Sequence, residues 1–338
     1  MKCIAKIQTG MSIGGPSFHV CQFSSAVASG GYTIWLFIAS DVQTILLPST
    51  IFGITNALAT LDFRDVQSQS PAYLYTAYRI PLIIGWVGIN LLPLTMNNQR
   101  SPSSIAEDSL NKPWRPLPSK RLSGSQAKRL MFGFYALSVV YSIFYSGGLR
   151  QCLSLIILGT CYNSFGAGDH NPVIRNIINA LGYFCFNSGA VEVALGSGSA
   201  VLTECPEARQ YSLRLWIMVI TAIILTTMHV QDMCDQEGDA KRGRRTLPLV
   251  IGDAAARWSI ALPMPVWGVI CPLLAGSGLL ATGLSVVLAL AVAIRMLIWR
   301  DTASDRMTFR VWNLWISVVY MLPLLGVSPC PRAAMCFV

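Results

Sequence analysis

The amino-acid sequence predicts an all-α, polytopic membrane protein with about nine transmembrane helices. Of its 338 residues, 53% are hydrophobic and only 12% are charged, whereas about a quarter of the residues of a soluble domain carry a charge. Several apolar runs also approach the length of about 20 residues that a helix needs to cross the hydrocarbon core of a bilayer. Together these two observations predict a chain that lies mostly within the lipid bilayer.

Five apolar runs are plain candidates for membrane spans, and four weaker runs complete the count. The plain runs are Tyr73–Leu94, Leu215–Val230, Ser259–Leu274, Leu279–Leu297 and Val311–Leu325. The weaker runs are Tyr32–Leu58, Leu130–Tyr145, Cys152–Tyr162 and Ile177–Leu195. We therefore expect residues 1–31 to form a cytoplasmic N-terminal tail, residues 32–328 a single membrane domain and residues 329–338 a short C-terminal tail.

The net charge of +9 does not indicate nucleic-acid binding, because the basic residues concentrate in loops on one side of the predicted spans. Such an asymmetry is typical of cytoplasmic loops and predicts a multi-pass integral membrane protein. The N-terminal residues show no cleavable signal peptide and no transit peptide. In a eukaryotic host the endoplasmic reticulum membrane is therefore the default location, and no protein partner is implied.

The scarce acidic residues cluster at the ends of predicted spans, and the second cluster contains Asp232, Asp235, Glu237 and Asp239. If the preceding helix continues, Asp232, Asp235 and Asp239 share one helical face. Three like charges side by side repel one another, which indicates a cation among them. Oxygen ligands without His or Cys favour Mg²⁺. The alternative interpretation is a solvated acidic turn between two helices.

The first cluster contains Asn98 and then Glu107, Asp108 and Asn111, which form a second oxygen-rich face if their segment is helical. Prolines at positions 113, 116 and 118 follow, and we expect them to hold the chain extended. Basic residues flank both clusters and suit a diphosphate that bridges metal ions and cations. The candidate diphosphate-binding residues are Lys112, Arg115, Arg121, Arg175, Lys241 and Arg245, whereas ordinary cytoplasmic charge is an equally good explanation of Arg242 and Arg244.

Two motifs carry a resemblance to a known family. Asn98…Asp108-x-x-Asn111-Lys-Pro-Trp-Arg-Pro and Asp232-x-x-Asp235-x-Glu-Gly-Asp239 stand about 130 residues apart, and the pair resembles the UbiA superfamily of intramembrane prenyltransferases. The resemblance implies a bundle of about nine helices around a central cavity, with both motifs at its mouth. It implies a prenyl diphosphate substrate taken from the bilayer and Mg²⁺ as cofactor. The implied catalytic residues are Asp108, Asn111, Asp232, Asp235 and Asp239, and the implied metal ligands are the same five residues with Asn98 and Glu107 added.

The first motif departs from the usual Asn-Asp-x-x-Asp-x-x-x-Asp of the superfamily, because Gln99 follows Asn98 and Asn111 replaces a carboxylate. This form is similar to a fungal branch that includes membrane-bound terpene cyclases. The expected function is therefore Mg²⁺-dependent ionisation of farnesyl or geranylgeranyl diphosphate and cyclisation of the allylic cation to a terpene hydrocarbon. The alternative is a prenyltransferase of the same fold with an aromatic or polyketide acceptor. A transporter is disfavoured, because both acidic clusters lie at one end of the spans.

Four further residues are candidates for the cavity. Tyr162 and Tyr183 are aromatic side chains that would stabilise a passing cation. Glu192 lies in an apolar run and is either a proton acceptor or a hydrogen-bonded interior carboxyl. His229, one turn before Asp232, would take a proton or orient that carboxylate, or is a boundary histidine without a role in the reaction.

Overall fold

The computed structural model describes residues 28–61, 72–144, 147–196 and 207–326. The secondary structure in these ranges is helical, apart from one isolated bridge between Ser277 and Gly326, and the predicted all-α class is confirmed. Residues 28–31 of the predicted N-terminal tail belong to the first helix. The rest of that tail and the predicted C-terminal tail lie outside the described residues.

Six α-helices make up the first half of the described chain. Residues 28–38 form α1, and a π-helical turn, Val42–Leu46, leads into α2. The next helices are α2 (Leu47–Leu61), α3 (Ala72–Gln99), α4 (Pro102–Asn111), α5 (Gly124–Phe144) and α6 (Leu149–Asn163). The predicted span Tyr32–Leu58 is thus not one continuous helix, because the chain turns between α1 and the π-helical segment.

The second half begins with a short helix, α7 (Ala167–His170), and the long helix α8 (Pro172–Leu195). The helices that follow are α9 (Glu207–Thr227), α10 (Gln236–Arg242), α11 (Leu247–Ile251), α12 (Asp253–Ala261), α13 (Pro263–Ala275), α14 (Leu279–Ile298) and α15 (Thr302–Met321). A 3₁₀ turn, Met228–Met233, joins α9 to α10, and a second one, Leu322–Leu325, follows α15.

Within the described ranges, six helical segments are long and apolar enough to cross a membrane, as expected for an integral membrane protein. They are Val42–Thr60, Ala77–Gln99, Gln210–Met233, Asp253–Ala275, Leu279–Ile298 and Thr302–Leu325. The three other predicted spans fall on α5, α6 and α8. Helix α6 has only 15 residues, and α8 carries Arg175, Glu192 and three asparagines between its apolar residues. The count of about nine spans stays a prediction.

Helix α8 is the centre of the bundle and packs against α2, α3, α6 and α9. The indole of Trp86 on α3 is fully buried beside Gly189 of α8, where a side chain on the glycine would overlap the ring. The indole N–H donates a hydrogen bond to Ser142 Oγ on α5 (3.0 Å). Arg175 lies in the first turn of α8, at one end of the bundle, and Tyr183 and Phe186 lie further along the same helix and face the interior. The packing of α8 holds these three side chains in place.

Candidate active site

Helix α4 carries the first acidic motif, and its ends follow from the local sequence. Ser101 caps the helix, because its Oγ accepts a hydrogen bond from the backbone N–H of Ser104 (3.1 Å) and Pro102 occupies the first helical position. Pro113 ends it, since a proline disfavours helical geometry in the preceding residue. The stretch that contains Glu107 and Asp108 is therefore helical, and both carboxylates are buried.

The proline-containing loop after α4 is not extended, contrary to the prediction. Its residues form successive turns, in which the backbone N–H of Arg115 donates to Lys112 O (3.0 Å) and that of Arg121 donates to Pro116 O (2.9 Å). The fixed φ of proline suits tight turns as well as extended chain. The turns fold Arg115 back over α4, where its Nη1 lies 2.7 Å from Asp108 Oδ1.

The second acidic motif is not a continuation of the preceding helix. The common helical face considered in the sequence analysis depended on such a continuation. Helix α9 ends at Thr227, and the chain tightens into the 3₁₀ turn Met228–Met233 before α10 begins. Asp232 lies in the turn, Asp235 precedes α10 and Asp239 lies within it. The three carboxylates nevertheless line one cavity, because the turn changes the direction of the chain between them.

The two motif helices, α4 and α10, pack directly against each other. Gly238 faces the side-chain amide of Asn111 so closely that a Cβ atom on the glycine would overlap it. Any larger residue at position 238 would displace the Asn111 side chain or push α10 away from α4. The glycine of the second motif thus permits the close approach that brings the two acidic clusters together.

Three ion pairs join the acidic motifs to basic residues at the mouth of the cavity. Arg175 Nη2 lies 2.7 Å from Asp232 Oδ1, and the same guanidinium donates to the Tyr162 hydroxyl. Arg115 pairs with Asp108 as described above. Lys112 Nζ lies 3.5 Å from Asp235 Oδ2. Each motif carboxylate in these pairs therefore already has a cation beside it.

Arg242 and Arg244 connect the first motif to the second and to α7. Both guanidinium groups are buried and contact Glu107, at 3.0 Å and 3.1 Å respectively. Both also contact Asp169 of α7, at 3.2 Å and 2.9 Å, and the amide oxygen of Asn98. Arg244 additionally lies 3.2 Å from Asp239 Oδ1. Sequence reasoning missed Asp169, although an isolated carboxylate between two predicted spans on the same side as both motifs was a usable signal.

Burial and mutual repulsion set the acidity of the carboxyl groups in this network. Burial raises the pKa of Asp108 above its ordinary value, although Arg115 and Lys112 oppose the shift. Burial, together with the neighbouring Asp232, raises the pKa of Asp239 to about 7. Arg242 and Arg244 instead hold the pKa of Asp169 below its ordinary value, against the effect of burial. Asp108 and Asp239 are therefore carboxylates that an additional cation would stabilise.

The network contains more acidic than basic groups. Its members are six carboxylates and five cations: Glu107, Asp108, Asp169, Asp232, Asp235 and Asp239, with Lys112, Arg115, Arg175, Arg242 and Arg244. A diphosphate would add further negative charge to this excess. The mouth of the cavity therefore suits a diphosphate that arrives together with metal cations.

The residues present fit a magnesium ion that is shared with a substrate. Asp108 Oδ2 and Asp239 Oδ2 are buried and have no hydrogen-bond partner among the described residues. No three His, Cys, Asp or Glu side chains in those parts of the chain are placed to hold a metal ion by themselves. Magnesium typically takes only one or two carboxylates and completes its octahedron with water and substrate phosphates. The all-oxygen donor set matches this preference.

Below the mouth, the cavity becomes mostly apolar. It encloses about 220 Å³. Leucines from α3 and α6 and the rings of Tyr183 and Phe186 on α8 line its interior, and the π-helical turn before α2 contributes Thr44 and Ile45. The cavity is thus ionic at one end of the bundle and aromatic and aliphatic within it.

Most of the predicted site residues meet at this cavity. Ten line it: Asn98, Glu107, Lys112, Arg115, Tyr162, Arg175, Tyr183, Asp232, Asp235 and Asp239. Asp108 and Asn111 lie directly behind the lining, where they contact Arg115 and Gly238. Gln99 and Asp41 also line the cavity and were not predicted.

Three of the predicted diphosphate-binding residues lie elsewhere. Arg121 points away from the cavity to α1, where its guanidinium lies 4.9 Å from the centre of the Tyr32 ring and donates to Thr33 Oγ1. Lys241 and Arg245 are exposed. Arg245 contributes only its backbone N–H, which donates to Asp169 O (2.7 Å). Arg242 and Arg244 are the basic residues that instead form ion pairs with the first motif, as described above.

Glu192 and His229 do not reach the cavity either. Glu192 lies at the opposite end of α8, where it accepts hydrogen bonds from the backbone N–H of Gly148 and from Gln151 (both 3.0 Å). His229 is a buried residue of the 3₁₀ turn Met228–Met233, and its ring is hydrogen-bonded to Ser259 Oγ (2.8 Å). Neither side chain lines the cavity, and this position favours the interpretations of Glu192 as a hydrogen-bonded interior carboxyl and of His229 as a histidine without a role in the reaction.

Comparison with known proteins agrees with this arrangement. Residues 82–316 match the UbiA prenyltransferase family. The chain is 30% identical over 238 residues to the fumagillin beta-trans-bergamotene synthase of Aspergillus fumigatus, covering 70% of this chain and 72% of that protein. It is 28% identical over 300 residues to the somaliensene A/B synthase of Streptomyces somaliensis, covering 84% of this chain and 89% of the relative.

The fold is also found among solved structures. A UbiA homolog from Archaeoglobus fulgidus bound to GPP and Mg²⁺ superimposes with a TM-score of 0.57. The match covers 86% of this chain and 99% of the homolog at 17% sequence identity. With the family match spanning most of the chain and both acidic motifs at one cavity, this integral membrane protein belongs to the UbiA prenyltransferase family.

Proposed function

We propose that the protein is a Mg²⁺-dependent terpene cyclase that ionises farnesyl or geranylgeranyl diphosphate and cyclises the allylic cation to a terpene hydrocarbon. The observation that carries the proposal is a single cavity with an ionic mouth and an aromatic and aliphatic interior. Such a cavity suits an amphiphilic substrate with a polyanionic head and an apolar tail. Two relatives that are named as synthases, those of bergamotene and somaliensene, support cyclisation as the fate of the cation.

The mouth would bind the diphosphate. Lys112, Arg115 and Arg175 line it and carry N–H groups that suit phosphate oxygens. Asp232, Asp239 and Asp108 would hold magnesium, which when bound neutralises the charge on the departing diphosphate. Lys112, Arg115 and Arg175 are already paired with carboxylates. Substrate binding would therefore exchange partners, because the basic side chains would turn to the phosphate oxygens and the carboxylates to the metal. In this exchange the positive charge of the metal offsets the negative charge of the diphosphate.

The interior would protect and fold the cation. Leu91, Leu155 and Leu158 exclude water from the reacting chain, and the faces of Tyr183 and Phe186 stabilise positive charge by cation–π attraction. The alternative is transfer of the prenyl group to an aromatic or polyketide acceptor, which the name of the family makes the second candidate. The two activities share the ionisation step and differ in what meets the cation.

The test is to incubate membranes carrying the protein with farnesyl or geranylgeranyl diphosphate and Mg²⁺, without an acceptor, and to analyse the volatile products. A cyclic hydrocarbon that disappears on addition of a chelator is expected. Return of intact substrate, with turnover only when an aromatic acceptor is added, would establish the transferase instead.

A variant pair tests the metal assignment in the same membranes. Asp232→Ala should lower turnover by at least about 10²–10³-fold, the loss typical when one preorganised electrostatic group is removed. Asp301→Asn is the control, because Asp301 is an exposed helix cap remote from the cavity and asparagine caps equally well. Wild-type turnover in Asp232→Ala would exclude the metal-binding role. In a eukaryotic host we place the enzyme in the endoplasmic reticulum membrane, which imaging of a fluorescent fusion would test.

A further inference from the structure

Cyclisation to a hydrocarbon needs a base, and the structure leaves one unused carboxylate to supply it. Asp41 lines the cavity together with Thr44 and Ile45. The other carboxylates of the lining are Glu107, Asp232, Asp235 and Asp239, and each forms an ion pair with an arginine or lysine. No ion pair of Asp41 is found within the ranges that the structure describes. Asp41 therefore lines the cavity without an ion pair to the described residues of the network at the mouth.

The backbone at Asp41 begins a π-helical turn at the wall of the cavity. Its carbonyl oxygen accepts hydrogen bonds from the N–H groups of both Ile45 (2.9 Å) and Leu46 (3.1 Å), which opens the π-helical turn Val42–Leu46. Such turns are rare and frequently occur at functional sites. The charged and aromatic groups that act on Asp41 electrostatically are Lys112 and Arg115 at the mouth and Tyr183 in the interior. The carboxylate thus lies where the ionic part of the cavity meets its apolar part.

We infer that Asp41 is a catalytic residue that accepts the proton whose loss ends the cyclisation, an inference that rests on the proposed cyclase function. In this step the C–H bond next to the cationic carbon breaks, and its electron pair becomes the new C=C bond. The proton passes to an oxygen of the Asp41 carboxylate, which becomes a neutral carboxylic acid. That acid returns the proton to water at the mouth after the product leaves, so that substrate yields hydrocarbon, diphosphate and one proton.

Three other bases are weaker candidates on structural grounds. Glu192 and His229 lie outside the cavity, as described above. The diphosphate itself remains close to the cation after ionisation, but the basic residues of the mouth would hold it there. During cyclisation the positive charge of the prenyl cation moves away from the diphosphate. A carboxylate on the wall of the cavity would then lie closer to that charge. The test below separates Asp41 from the diphosphate as the base.

The experiment compares Asp41→Asn with wild type in two measurements, diphosphate release and product distribution. Asparagine keeps the size and hydrogen-bonding capacity of the side chain but cannot take the proton. Diphosphate release should stay within about threefold of wild type, whereas the yield of the main hydrocarbon should fall by at least about 10²-fold, the low end of a general-base contribution. Linear or hydroxylated products and other isomers should replace it. Asp41→Glu, which restores a carboxylate, should recover the hydrocarbon.

Each other outcome overturns the inference. A wild-type product distribution in Asp41→Asn would assign proton removal to the diphosphate or another group. Loss of diphosphate release in the variant would place Asp41 in the ionisation step. If Asp41→Asn does not insert, Asp41→Ser, smaller and equally unable to accept the proton, should show the same split. Asp301→Asn is the matched control and should keep wild-type release and products. Failure of the proposed function is distinguishable, because wild type would then form no cyclic product.

Discussion

The ion pair between Arg175 and Asp232 allows a direct measurement of what the buried charges of the mouth do to stability. Its side chains are 5% and 3% exposed, and the closest contact is 2.7 Å between Nη2 and Oδ1. Replacement of Arg175 by methionine keeps an unbranched side chain but removes the guanidinium. Asp232 is then left in a buried position without its cation, next to the carboxyl group of Asp239.

The expected loss follows from the general behaviour of buried pairs. Removal of one partner destabilises a protein by about 3–5 kcal/mol, because the other charge is left uncompensated. At about 2.1 cal/mol/K per residue, the unfolding entropy of a chain of 338 residues is about 0.7 kcal/mol/K, so that a loss of 1 kcal/mol lowers the thermal midpoint by roughly 1.4 °C. We therefore expect the midpoint of detergent-solubilised Arg175→Met to fall by about 4–7 °C. Size-exclusion chromatography with fluorescence detection after heating measures this shift.

The double variant Arg175→Met, Asp232→Asn is the decisive comparison. Because it removes both charges, it should recover at least half of the lost thermal stability, as replacement of a whole buried pair is often close to neutral. A single variant within about 2 °C of wild type would mean that the mouth is well hydrated. The same conclusion would follow if the double variant were no more stable than the single one.

Three further predictions concern the surroundings of the mouth. Gly238→Ala should lower turnover at least about tenfold by separating the motif helices, whereas Gly133→Ala, which meets open space on a helix, should leave it unchanged; equal rates in the two variants would contradict the packing argument. Because the pKa of Asp169 is lowered in the folded state, its carboxylate stabilises the fold at pH values above the ordinary carboxyl pKa of about 4. This stabilisation is lost as the pH falls through the pKa of Asp169 in the folded state. Asp169→Asn should therefore show less acid destabilisation than wild type, and identical melting curves between pH 3 and 7 would refute this. Glu192→Gln should keep turnover and products within about twofold of wild type, because Glu192 lies outside the cavity. A changed product distribution would instead indicate that Glu192 takes part in the reaction.

The helical class and both acidic motifs could be predicted from the sequence, because charged residues are scarce in an apolar chain. Two carboxylate clusters at the ends of apolar runs are costly unless they bind something. The segment of Glu107, Asp108 and Asn111 is helical, which was the condition under which their spacing forms an oxygen-rich face. These signals are local, since they depend on residues within one or two helical turns.

The identity of the basic residues at the mouth could not be predicted, because a change of chain direction decides it. Helix α10 ends at Arg242, and Gly243 adopts a left-handed conformation with φ of 81°. This turn directs Arg244 back into the cavity, whereas Arg245 remains exposed. The four basic residues of this segment have the same charge, and only the glycine between them gives a sequence signal for such a turn. The pairing with Glu107 also joins segments more than 130 residues apart.

The 3₁₀ turn before α10 shows a second limit of sequence reasoning. Spacings of three and four residues predicted a common helical face for Asp232, Asp235 and Asp239. The structure brings all three to the cavity through a turn and a new helix. Asp169 and Asp41 were missed for a related reason. Each is a single carboxylate whose surroundings come from helices distant in sequence.

If α6 spans the bilayer as predicted, its short length makes the thickness of the surrounding lipid a variable of the proposed reaction. Its 15 residues extend about 22 Å at 1.5 Å per residue, less than the hydrocarbon core of about 30 Å. Acyl chains beside such a segment must compress, a form of hydrophobic mismatch. Leu155, Leu158 and Gly159 of the same helix line the cavity, so the strain lies next to the reacting chain. Reconstitution into bilayers of graded acyl length would therefore be expected to change turnover, with thinner lipids relieving the mismatch.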